Sequence, residues 1–216
     1  MTDATAATDD GHGDGVTVDY YISLNSPWTY LGAQRFLDLA NTYGAKIKTK
    51  PARFADVFSA TGGLPLGKRS AQRQAYRMME LRRWRRRLDT QIVLEPEHFP
   101  SDETAGVRLV IAAEVAGLDS ARLSLEIGRE LWERDHAIAE AAALRTACAR
   151  AEIDYDALQG GAPEDGDLDD IWEQNTEEAI SAGVFGAPSY VFPDGEIMWG
   201  QDRLGFVEEK LKALAA

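Results

Sequence analysis

The chain has almost no sulfur chemistry of its own. Its one cysteine, Cys148, excludes an internal disulfide and any Cys-x-x-Cys redox couple. The alanine-rich surroundings, "AAALRTACARA", predict an inert and buried thiol. Histidine is scarce as well: His12, His98 and His136 stand far apart and make no metal-ligand spacing. No run of about 18 apolar residues occurs and no basic-then-apolar leader opens the chain, so neither a membrane helix nor a signal peptide is expected. A cytoplasmic location is the resulting expectation.

Positive charge is the next shortage. The chain carries 23 Lys and Arg against 36 Asp and Glu, a net charge of -13, which argues against nucleic acid or an anionic membrane as partner. The deficit is uneven, because Lys68 to Arg87 holds nine basic residues and one acid, Glu80. Such a segment either pairs with acids of its own protein or collects small anions, and most of its arginines are expected on a solvated helix face.

What is present suits one soluble domain with a large insertion, since 44% of the 216 residues are hydrophobic. Residues 1–15 are small, acidic and glycine-rich and read as a disordered tail that includes His12. "VTVDYYIS" (16–23) is β-branched and aromatic, a first strand. From Ser26, Tyr30, Leu31, Phe36, Leu37 and Ala40 recur at helical spacing until Tyr43-Gly44, and "AKIKTKPAR" (45–53) alternates like a strand. Residues 54–183 read mostly as helices: about 70–88, 102–117, 119–135 and 137–151, then an acidic loop at 160–170 before a helix closing at Gly183. Strands return at 188–192 and 197–199 around an Asp194-Gly195 turn, and Asp202 is a candidate N-cap for a last helix. The order predicts an α/β, thioredoxin-like fold. Residues 16–53 and 184–216 form its sheet domain, and 54–183 are an all-helical insertion between the second and third strands.

Three stretches can carry chemistry. In "SPWTYLG" (26–32), Ser26 is a favourable N-cap and Pro27 suits the first helical position, which explains both residues without any function. The same corner offers unpaired N–H groups and a partial positive charge, so it can also hold a thiolate. Lowering a bound thiol's pKa by about two units takes roughly 2.7 kcal/mol. A helix terminus supplies about 0.3–2 kcal/mol and a hydrogen bond to a charged group about 1.5–3, so one serine and a helix start suffice. In "VFGAPS" (184–189), Pro188 reads locally as the first residue of a strand. In "WGQDRL" (199–204), Gly200 permits close backbone approach near a helix start, which could take a charged amino-acid end.

Together and in this order, the three stretches resemble the 2-hydroxychromene-2-carboxylate isomerase family, whose relatives are the kappa-class glutathione transferases and, more distantly, DsbA. "YRMMELRRW" (76–84) is similar to the family's long helix in the spacing of Tyr76 and Trp84, and the resemblance spans about residues 16–214. It implies glutathione as cofactor, with Ser26 holding its sulfur as thiolate. It implies a cis Ala187–Pro188 bond, with the Ala187 backbone pairing the cysteine of glutathione. Trp199, Gly200, Gln201 and Asp202 would bind the γ-glutamyl end, Asp202 facing the amino group. On the substrate side it implies Gly67 and Lys68 at one position and His98 or Phe99 at another; Lys68 and His98 also read simply as loop residues. The substrate would be a small aromatic or electrophilic compound, and a homodimer is in keeping with the relatives.

Two departures stand out, Phe58 where a lysine is expected and Gly63 where asparagine is familiar. Both put the hydroxychromene substrate in question more than the use of glutathione. The alternatives are a kappa-like transferase releasing a conjugate and a non-catalytic thioredoxin-fold binding protein. A disulfide oxidoreductase is rejected, since Ser26 and Thr29 fill both expected sulfur positions.

Overall fold

A computed structural model describes residues 15–215; the expected tail, apart from Gly15, and His12 with it lie outside the described residues. β1 (Thr17–Ile22), α1 (Pro27–Thr42) and β2 (Lys46–Pro51) form a β-α-β unit, with β1 and β2 parallel and Thr17 opposite Lys46. Seven α-helices then follow before the chain re-enters the sheet: α2 (Phe54–Thr61), α3 (Ala71–Leu88), α4 (Thr104–Val115), α5 (Ser120–Trp132), α6 (Ala141–Arg150), α7 (Tyr155–Gly161) and α8 (Asp165–Ser181). β3 (Ser189–Val191) runs antiparallel to β1 and β4 (Ile197–Trp199) antiparallel to β3, giving the order β2-β1-β3-β4. A 3-10 turn (Gln201–Arg203) leads into α9 (Leu204–Leu214).

β1 buries Tyr20, Tyr21 and Ile22 in succession because both of its faces are covered there. Tyr20 stacks on Tyr190 with ring centroids 5.4 Å apart and packs on Phe36 of α1. Tyr21, pointing the other way, packs with Val57 of α2, Ala179 of α8 and Val184. The helical block does not keep a core of its own. Phe36 and Tyr20 belong to one continuous cluster with Leu109, Leu125, Trp132 and Leu144. Cys148 is buried within that cluster, and burial pushes its thiol up to about 11, as expected of an inert sulfur.

Three local readings differ from the structure. The stretch 160–170 is a loop only at 162–164, because α8 already starts at Asp165. Asp165 and Asp167 lie in its first turn, where acidic side chains favour the positive end of a helix. A short helix, α7, was not foreseen; Asp154 caps it by accepting the Ala157 N–H at 3.0 Å. Asp202 is not the N-cap of the last helix. It lies inside the 3-10 turn, α9 starts at Leu204, and Arg203 at the cap makes no side-chain capping bond.

Candidate active site

β1 delivers the chain to Ser26, which leaves the sheet in an extended conformation (φ -90, ψ 115) and caps α1. Its Oγ accepts the Thr29 N–H at 3.2 Å, and its carbonyl accepts the Tyr30 N–H at 3.2 Å. Pro27 has no N–H. Among the described residues, this leaves the Trp28 N–H as the first-turn donor without a protein acceptor. The Ser26 hydroxyl donates to the Ala187 carbonyl at 3.4 Å, a long bond that a stronger acceptor can displace. The Ala187–Pro188 bond is cis, as the resemblance implies. Ala187 is half-buried, and its own N–H likewise meets no protein acceptor.

β4 and the turn after it bring the third stretch to the same corner. The Gly200 N–H donates to the Pro188 carbonyl at 2.9 Å. Trp199, about half exposed, lays its indole on Gly186, where a Cβ would meet Nε1 at 2.3 Å. Gly200 has φ +105, and a Cβ there would strike the Asp202 carboxylate at 2.6 Å, so glycine serves both the backbone and the acid folded over it. Asp202 is exposed and pairs with Arg203 at 2.9 Å. Gln201 is buried instead: Arg35 of α1 donates to its carbonyl at 3.1 Å and to its side-chain oxygen. Gln201 thus anchors the turn to α1, with both of its oxygens engaged by Arg35.

Behind Ser26 lies a staple that the sequence reading missed. The Asn25 side chain donates to the Ser101 carbonyl at 2.9 Å and accepts its N–H at 3.0 Å. Glu103 accepts the Asn25 N–H and the Ser23 hydroxyl, each at 3.0 Å. Burial pushes the Glu103 carboxyl up, while the hydrogen bonds from Asn25 and Ser23 pull it back. These residues fix the turn that presents Ser26. Nothing local marks them, because the partners are 76 to 80 positions apart.

The substrate-side residues are placed less coherently. Gly67 and Lys68 sit exposed in a 3-10 turn (Leu66–Lys68). His98 is exposed, and its Nδ1 lies 3.1 Å from Asp135, which also accepts its backbone N–H and holds the imidazole pKa above its ordinary value. No hydrogen bond or ring contact among the described residues joins Gly67, Lys68 or the His98 ring to the Ser26 corner. Phe99 comes closer, because Ser101 two residues on is the one held by Asn25. Phe58 fills the space beside Gly63, where a Cβ would meet its ring at 2.5 Å, so the two departures from the family pattern accommodate each other. A groove of about 770 Å³ between β4 and α9 shares Trp199 with the corner but is not lined by Ser26 or Ala187.

The fold agrees with comparisons to known proteins. The chain is 27% identical over 197 residues to a 2-hydroxychromene-2-carboxylate isomerase of Sphingobium xenophagum, covering 90% of this chain and 97% of that one. It is 26% identical over 204 residues to the Pseudomonas putida enzyme of the same name, covering 91% and 95%. A solved 2-hydroxychromene-2-carboxylate isomerase superposes with a TM-score of 0.74 at 25% identity, over 92% of this chain and 95% of the other. With residues 17–212 matching the DSBA-like thioredoxin domain, the chain belongs to that family.

Proposed function

We propose that the protein is a glutathione-dependent isomerase. Its substrate is 2-hydroxychromene-2-carboxylate, or a related cyclic hemiketal or unsaturated 2-oxo acid, and its product the open-chain trans isomer. The observation that carries this reading is the Ser26 corner: the hydroxyl reaches the Ala187 carbonyl by a long, displaceable bond, and among the described residues the Trp28 and Ala187 N–H groups have no protein acceptor. The names of the relatives support the reaction type.

The donor set fits the tripeptide. Ala187 offers a backbone N–H of the kind that pairs an extended peptide at a strand edge. The exposed Asp202 carboxylate, folded over Gly200, suits an α-ammonium group. Glutathione supplies a thiol that, as thiolate, is a nucleophile toward an electron-poor carbon. Ser26 contributes a proton donor toward that sulfur rather than a nucleophile, since no base stands beside its Oγ. The helix terminus adds its partial positive charge.

Isomerisation leaves the glutathione pool unchanged, whereas a transferase consumes one molecule per turnover. The test is therefore to follow substrate, product and free thiol together. Turnover with constant free thiol supports the isomerase, and stoichiometric thiol loss replaces it with the transferase. No activity and no glutathione binding at millimolar concentration would leave a binding protein.

A further inference from the structure

Arg77 is the exception on a helix of solvated arginines. Arg82, Arg85, Arg86 and Arg87 are exposed on the same helix, α3. Arg83 is also exposed and pairs with Glu80. Arg77 is half-buried, with its guanidinium over the Phe99 ring, 5.5 Å from the centroid. Its one side-chain polar contact among the described residues is the Met78 sulfur at 3.7 Å, and no carboxylate pairs with it. Arg69 stands near enough for its charge to act on Arg77. It lies over Phe58 at 5.9 Å and is tied to the Leu64 carbonyl at 2.7 Å. Burial and this second cation both push the Arg77 pKa down.

A partly desolvated cation facing another cation costs stability unless an anion completes it. Lys68 is exposed, and an exposed lysine gains little from a carboxylate. Arg77 also has the planar fork that takes a carboxylate with two bonds, and the Phe99 ring beneath it, itself packed on Trp132 with centroids 5.0 Å apart, holds it in place. Phe99 links this cation to the corner, because Ser101 is bonded to Asn25 beside Ser26.

We infer that Arg77, seconded by Arg69, is the carboxylate-binding residue for an aromatic acid lying beside Phe99. As the substrate-side half of the site, this rests on the function proposed above.

Equilibrium titration of the full-length protein with 2-hydroxycinnamate and with its neutral primary amide tests it directly. Wild type should bind the acid roughly 10- to 100-fold tighter than the amide, the range of a charge-assisted hydrogen bond. Arg77→Gln should abolish that preference while leaving amide binding in place, and Arg77→Lys should restore part of it. Equal affinities in wild type, or a preference that survives in R77Q, would overturn the assignment. Titration with reduced glutathione separates the two claims. Selective acid binding through Arg77 without glutathione binding sinks only the cofactor reading, and the reverse sinks only this one.

Discussion

Replacing Ser26 by alanine separates a structural loss from a chemical one. Structurally, Ser26→Ala removes the cap on the Thr29 N–H, which costs about 0.5–2 kcal/mol. For a chain of this size that lowers Tm by roughly 1–8 °C, at about 2–4 °C per kcal/mol. Chemically, it removes the hydroxyl that would hold a thiolate, a charge-assisted bond of about 1.5–3 kcal/mol. At about 1.36 kcal/mol per pKa unit, the thiol of bound glutathione should rise by roughly one to two units. The assay is the ultraviolet thiolate absorbance of the complex, titrated with pH for both proteins well below either Tm. The Trp28 N–H and the helix terminus remain, so the variant should keep part of the depression. Turnover near neutral pH should fall by roughly 3- to 25-fold as a bound thiol near 6.5 rises by one to two units, and the deficit should shrink as pH rises. A bound thiol that titrates identically in S26A and wild type would refute the role given to the hydroxyl, whatever happened to Tm.

Glu103 gives a stability prediction with a definite sign. Burial holds its folded pKa above the ordinary carboxyl value, so the folded state takes up a proton first on acidification. Stability from this group is therefore fully present below the unfolded value of about 4.3 and lost as pH rises toward the folded value. Relative to Glu103→Gln, wild type should gain stability between pH 7 and pH 4 in denaturant titrations; a constant difference would show that the carboxyl is not buried. Cys148 should resist a thiol-reactive dye in the native protein at pH 8 and react at once in denaturant, since its thiol lies near 11. Rapid labelling of the folded chain would contradict its place in the core.

What was legible in the sequence was local. Ser26-Pro27 announces a helix start because both residues act within one turn, and Asp194-Gly195 announces the β3–β4 hairpin for the same reason. Gly200 stands where glycine is required, with φ +105 and the Asp202 carboxylate in the space a Cβ would fill. Asp202 itself was misread, because a cap and a 3-10 residue share the same composition one or two positions apart. The Asn25–Ser101 and Ser23–Glu103 bonds were invisible, since they depend on how α4 docks on β1 and α1. Arg77 was hidden differently. It looks like its neighbours in the sequence, and only packing against Phe99 sets it apart.

The proposed chemistry depends most on the ionisation of a thiol at Ser26. Calorimetric titration with glutathione at pH 7, repeated in buffers of different ionisation enthalpy, counts the protons released on binding. A thiol whose pKa falls from about 8.5 toward 6.5 should release most of one proton, and S-methylglutathione should release none. Binding of glutathione with no more proton release than the methylated peptide would contradict the account.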